Sequence, residues 1–199
     1  MEQPGTGARS AGVKVIDPTT DGRRLKGERR KQELIEATIR VVAREGVAGV
    51  SHRAVAREAG QPATAAAYYF KSIDDLLTAA LTRCMEQDAA RMRALAARTD
   101  ASPAGLRELA ELMCAVVTRP DHLLAEYELY LLAARRPELR SPTQDWLAAV
   151  GEFGARYTGD PVRLRLLAGA MDGLLMQALL TDRPPTADDY EAVLRRILL

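Results

Sequence analysis

Between residues 46 and 75 the chain is punctuated by Gly46, Ser51, Gly60, Pro62 and Ser72, and no other stretch constrains the fold as tightly. Before Gly46, the residues Leu34, Ile35, Thr38, Ile39, Val41 and Val42 fall on one face of a helix, read from about 28 to 45. The glycine therefore predicts a C-cap, and "GVAGV" a tight turn. Ser51 predicts an N-cap, with Val50 and Val55 at the two places of a hydrophobic staple, opening a second helix over 51–59. Ala59-Gly60 ends it. A third helix is expected from Pro62, whose missing N–H does no harm in a first turn, to about Phe70. Ser72-x-x-Asp75 then spells a capping box for a fourth helix running to about 97. Two short helices around a glycine turn, set between two longer ones, are the layout of a helix-turn-helix.

The rest of the chain reads as helix throughout. Pro103 opens one helix to about Thr118, and another runs from about Asp121 to Arg135. A longer one is expected from 138 to about 157, with Ser141-Pro142 a point where it can break. "PVRLRLLAGAMDGLLMQALL" has the widest apolar face and spans 161–181; "DRPP" stops it and Thr186 caps a last helix. The expected class is all-α, with about nine helices. Residues 1–25 are rich in Gly, Pro, Thr and Ser and are expected to form a flexible tail, with "VKVI" at 13–16 a short extended piece at most.

Composition excludes more than it identifies. The 199 residues are 47% hydrophobic and carry a formal net charge of +1, so whole-chain charge neither favours nor disfavours nucleic acid. Locally, "RRLKGERRK" (23–31) sets Arg23, Arg24, Lys26, Arg29, Arg30 and Lys31 against Glu28 alone. It fits either a solvated helix start or an arm that follows phosphates. Cys84 and Cys114 stand alone in apolar helical patterns, which predicts reduced thiols and no zinc site. No apolar run approaches a membrane span and no signal peptide is seen, so a cytoplasmic protein is expected. Two histidines far apart, with no nucleophile–base pair and no phosphate-binding glycine loop, leave little with which to build an enzyme; no cofactor is expected.

Over residues 30–81 the chain resembles the N-terminal DNA-binding domain of the TetR/AcrR transcriptional regulators. The resemblance is carried by Ile35, Ala37, Gly46, Ser51, Val55-Ala56, Ala59-Gly60, Tyr68-Tyr69-Phe70, Ser72 and Leu76-Leu77. It is similar above all to the branch reading "hRaVAxeAG…YYF…ddLL", and "YELYLLAARRPELR" (127–140) resembles that branch's effector domain. Thr64 stands where the family often has glycine and Ile73 where it often has lysine, with Lys71 placed to take over that contact. The resemblance implies a homodimer that reads a palindromic operator in double-stranded DNA and acts as a repressor, released when a small apolar molecule binds. It divides the chain into a DNA-binding domain at 26–71 and a ligand-binding and dimerisation domain at 72–199.

Candidate residues follow from the chemistry of each surface. A helix enters the major groove only if its outward side chains are short or can bond to bases. Ala63, Ala65, Ala66 and Ala67 satisfy the first condition, and Gln61 and Thr64 the second. Tyr68, Tyr69 and Lys71 suit phosphate or sugar contacts, and Ser51, His52 and Arg53 lie at a helix start that favours phosphate. No carboxylate interrupts 59–73, as a surface facing the DNA backbone requires. Met85, Met92, Met113, Tyr127, Tyr130, Trp146, Phe153 and Met171 are candidate pocket liners, since methionine adapts to varied shapes. His122 and Glu126, four apart on one helix face, fit a solvated pair before a contact to a polar group or a metal. Asp172, set among leucines, fits a helix-packing carboxylate. Gly169 and Gly173 permit close helix crossing and, with Leu174, Met176, Val193 and Ile197, make the candidate dimer face.

Overall fold

The computed structural model describes residues 18–199, and side chains from residue 22 onward; the extended piece expected at 13–16 lies outside the described residues. Among the described residues there are nine α-helices and no strand: α1 (Pro18–Glu45), α2 (His52–Glu58), α3 (Ala65–Tyr69), α4 (Ile73–Arg98), α5 (Pro103–Val117), α6 (Pro120–Arg135), α7 (Ser141–Gly154), α8 (Pro161–Ala178) and α9 (Ala187–Leu198). The all-α class stands. None of these helices is long and apolar enough to cross a membrane.

The caps form as the sequence spells them. Ser51 Oγ accepts from Ala54 N, and Val50 and Val55 on either side are both buried. Ser72 and Asp75 exchange both bonds of a capping box at the start of α4, as Thr186 and Asp189 do at the start of α9. Gly46 and Gly60 hold φ of 69° and 64°, where a Cβ would be strained. Past Gly60 the chain reverses through paired bonds, Gly60 N to Arg57 O and Gln61 N to Ala56 O, which close the end of α2.

Two expectations need correction. Helix α1 begins at Pro18 rather than near 28, so part of the expected tail is helical. Among its described side chains the first buried one is Leu34; residues 22–33 carry charge and no core face, so apolar periodicity is silent there. Helix α3 starts at Ala65, not Pro62. Pro62 forces its predecessor out of the helical region, and Ala65 N closes a turn onto Pro62 O at 2.8 Å before the helix begins. The helix read over 138–157 breaks at the point the sequence offered, Ser141-Pro142: Pro137–Leu139 forms one 3-10 turn and α7 runs from Ser141 to Gly154.

Packing joins the parts. Helix α1 lies against α2, α4 and α6, α4 runs along α7, and α5 pairs with α9. A single apolar core extends from Val41, Val55 and Leu76 through Met85 and Met92 to Leu109, Phe153 and Leu194. Helix α4 belongs to both ends of this core. Its cap abuts α3, and its second half reaches the interior of the larger helical body.

Candidate nucleic-acid interface and ligand cavity

The outward face of the α3 region carries Ala63, Thr64, Ala67 and Tyr68, all exposed, with Tyr68 82% accessible. Tyr69 is half-buried and meets Tyr68 edge to face, ring centroids 4.9 Å apart. Phe70 is buried beneath them, with Lys31 Nζ 5.9 Å from its ring centroid. Ala66 is 0% exposed. With the helix starting at Ala65, this alanine points into the core and cannot touch DNA.

Gln61 also departs from its expected role. Its Nε2 donates to Arg30 O and Glu33 Oε2, each at 3.0 Å, so the amide is turned onto α1 rather than toward a base. His52 is likewise engaged: Nε2 lies 3.0 Å from the Phe70 carbonyl. That oxygen can only accept, so Nε2 carries the proton and the ring ties the start of α2 to the end of α3. Ser51 and Arg53 are exposed at the start of α2, and Lys71 is exposed just past α3. Ser51 Oγ is used as a cap acceptor, which leaves its own proton free to donate. Arg30, from the basic run, borders the same face in a groove it shares with Thr64, Tyr68 and Tyr69.

The acid-free segment is also acid-quiet in space, because each flanking carboxylate is held. Glu58 accepts from Arg40 Nε at 2.7 Å and Arg44 Nη1 at 3.1 Å. The bond from Arg40, aided by Arg44, keeps its carboxyl below the usual range. Asp74 pairs with Arg136, and Asp75 accepts from the backbone N–H groups of Lys71 and Ser72.

In the helical body, Met92, Met113, Trp146 and Met171 line one cavity between α4, α5, α6, α7 and α8. The other expected liners do not join it. Met85 and Phe153 are wholly buried in the core, and Tyr127 and Tyr130 are half-buried on α6 beside the cavity. Tyr127 instead donates to the Asp172 carbonyl at 2.7 Å. The liners that sequence reasoning missed are Asp88 and Arg91, together with apolar Leu109, Leu112, Val116 and Leu175. Asp88 follows Cys84 and precedes Met92 at helical spacing on the buried face of α4, which was the available signal. Glu126 lines the cavity too, and His122 Nε2 is buried, so the solvated pair expected of these two does not form.

The cavity holds only about 30 Å³. Its walls nevertheless carry charge, from Asp88, Arg91 and Glu126. Asp88 is 8% exposed and its Oδ1 takes Arg91 Nη1 at 2.5 Å. Burial raises the Asp88 carboxyl, against the pull of Arg91. Burial, then the neighbouring Asp88, drives Glu126 well above the usual carboxylate range. His122 is lowered by burial, and Asp172 is pushed up to about 6 by the same cause. Among the described residues no group of three His, Cys, Asp or Glu is placed to hold a metal ion.

On the opposite side, Gly169 and Met176 are exposed and Gly173, Leu174, Val193 and Ile197 half-buried. A Cβ added at Gly169 or Gly173 would meet nothing. Val162, Leu166 and Leu180 add exposed apolar surface along and just beyond α8.

Residues 34–80 match the family model described as bacterial regulatory proteins, tetR family. Residues 104–199 match one described as tetracyclin repressor-like, C-terminal domain. Among solved structures, the chain is 39% identical to a member of the TetR family from Streptomyces coelicolor A3, with TM-score 0.71, covering 85% of this chain and 98% of that one. It is 38% identical to the multidrug binding protein EbrR complexed with ethidium, with TM-score 0.67, covering 85% and 99%. Among curated proteins, the nicotine-responsive transcriptional repressor HdnoR of Paenarthrobacter nicotinovorans is 30% identical over 109 residues, 54% of this chain and 56% of HdnoR. The match thus spans little more than half of that relative's length.

Proposed function

The chain belongs to the TetR family of bacterial transcriptional regulators, DNA-binding proteins rather than enzymes, and from that premise we propose a homodimeric repressor that leaves a palindromic operator when a small, largely apolar molecule enters its cavity. In this reading residues 26–71 form the DNA reader and 72–199 the ligand-binding and dimerisation part. Ala63 and Ala67 let the backbone approach the groove floor, and Thr64 supplies a hydrogen bond to a base edge. Tyr68, Tyr69, Ser51, Arg53 and Lys71 hold phosphates on either side. Two copies joined through α8 and α9 set their α3 segments one helical turn apart, about 34 Å, as a palindrome requires.

The observation that carries the reading is the exposed, carboxylate-free face of small residues and tyrosine, flanked by acids that are all held by donors. An ordinary surface has no need of that arrangement. The cavity supports the release step. Helix α4 begins at the cap beside α3 and carries Asp88, Arg91 and Met92 into the cavity wall. A space of about 30 Å³ admits a drug-sized molecule only by moving side chains, and flexible Met92, Met113 and Met171 can move. The shift of α4 that follows changes the separation of the two reading segments. EbrR, which binds ethidium, and HdnoR, which responds to nicotine, support a small-molecule effector.

Selection of bound sequences from random DNA tests the proposal. The expected result is a two-fold symmetric site whose affinity falls steeply with salt. Failure to enrich any sequence, or binding insensitive to salt, would overturn it.

A further inference from the structure

We infer that the first described turns of α1 form a second DNA-contacting element, a basic helical arm that holds phosphates just outside each half-site. The inference rests on the reading of α3 as the segment that enters the groove, and extends it to residues that the core does not use.

Residues 22–33 make about three turns of helix ahead of Leu34, the first buried side chain described in α1. Within those turns only Gly27 and Lys31 are half-buried, and both lie against the end of α3. A Cβ at Gly27 would stand 3.8 Å from the Tyr69 hydroxyl, and Lys31 Nζ sits 5.9 Å from the Phe70 ring centroid. Arg30 shares one groove with Thr64, Tyr68 and Tyr69, and Lys31 shares another with Lys71. One side of the arm is thus turned toward the reading segment.

That side is basic. At 100° per residue, Arg23, Arg30 and Lys31 all fall within about 60° of Gly27 around the helix axis. Glu28 and Glu33 fall about 100° and 120° away, one to either side. Glu33 is also occupied, by Gln61 Nε2 at 3.0 Å and by Arg29. Asp75, in the groove with Lys31, accepts from the backbone N–H groups of Lys71 and Ser72. Positive charge on the arm therefore continues the carboxylate-free face of α3.

Shape decides what the arm touches. A helix with its side chains is about 10–12 Å across, and the minor groove is only about 6 Å wide. A helical arm must lie along the backbone instead, where arginine meets phosphate with two parallel bonds. Arg23 stands about 10 Å beyond Arg30 along the axis, a reach of up to about three base pairs. Such contacts add affinity and position the protein without reading sequence.

Anisotropy titrations of the full chain against its selected operator, with the flanks outside the half-sites trimmed stepwise, test the arm. Affinity should hold on long flanks and drop several-fold once fewer than about three base pairs remain on each side. Arg23→Gln combined with Arg30→Gln should remove that flank dependence and leave the ranking of singly mismatched operators unchanged. It should also flatten the slope of log K against log salt by up to about four, each phosphate contact in each protomer counting about 0.9. Both side chains are exposed, so helical circular dichroism should not change. Wild-type affinity indifferent to flank length, or a salt slope unchanged in the variant, would overturn the arm and leave the α3 reader standing. A variant that relaxes preference at a flanking A·T pair would overturn the phosphate assignment in favour of the minor groove. If the wild-type chain selects no sequence at all, the reader itself fails and the arm falls with it.

Discussion

The Arg136 guanidinium donates to the Asp74 carboxylate, tying the end of α6 to the first turn of α4. Helix α6 carries Glu126 into the cavity, and α4 follows directly on α3. The pair is exposed, so it contributes little to folding. Its place between cavity and reading segment gives it another use, as a strut through which α6 moves α4. Arg136→Ala should leave the melting temperature nearly unchanged. It should reduce the ligand-induced loss of DNA affinity several-fold, within the range of typical coupling energies, about 1–3 kcal/mol. Fluorescence anisotropy titrations of labelled operator, with and without ligand, measure that ratio; an unchanged ratio would remove the strut.

Thr64 and Gln61 should behave differently although they lie three residues apart. Thr64 is exposed on the face offered to DNA, while the Gln61 amide is occupied by Arg30 and Glu33 of α1. Thr64→Ala is expected to relax discrimination at one base pair by about 1–3 kcal/mol and to leave stability unchanged. Gln61→Ala should lower stability by about 1 kcal/mol and weaken every site alike, because it loosens the placement of α3. Gel-shift titrations against singly mismatched operators separate the two. Selective relaxation by Gln61→Ala would mean that the amide swings away from α1 on DNA.

These two residues also mark what the sequence makes legible. Caps were readable because their bonds close within three residues, as Ser51 to Ala54 and Ser72 to Asp75 show. Gln61 was not, since its partners sit 28 and 31 positions away on another helix. Which alanines face outward turned on where α3 starts, and the Pro62 turn moved that start by three residues, sending Ala66 into the core. The described side chains of α1 before Leu34 have no buried face, so periodicity had nothing to detect there. Asp88 hid for the opposite reason. It sits within an apolar face, and the cavity wall it shares with Glu126 is completed by helices distant in sequence.

Gly169 lies exposed on α8 with open space where a side chain would be. Gly169→Leu should therefore fold normally as a single chain and gain up to about 1 kcal/mol in helix preference. If a partner's helix crosses closely at this point, as proposed, the leucine keeps the two apart. Sedimentation should then report monomers with unchanged helical circular dichroism, and operator affinity should collapse with the loss of paired half-sites. A dimer that survives the substitution with operator affinity intact would place the interface elsewhere.

Asp172 predicts a pH dependence of stability with a definite sign. Burial pushes its carboxyl from the ordinary 3.8 up to about 6. Between those values the folded chain holds a proton that the unfolded chain has released, so stability falls as pH rises through this window and levels off above it. Asp88 and Glu126 shift in the same direction, which makes the wild-type curve alone ambiguous. The difference between wild type and Asp172→Asn isolates this one carboxyl. Asparagine cannot ionise, so the variant should gain on the wild type steadily from about pH 4 to about pH 6 and keep that advantage at neutral pH. The Tyr127 bond to the Asp172 backbone carbonyl is unaffected by the change, so helix packing at α6 and α8 is preserved. Urea denaturation at several pH values gives the difference directly. Parallel stability curves for the two proteins would show that the Asp172 carboxylate is solvated rather than buried.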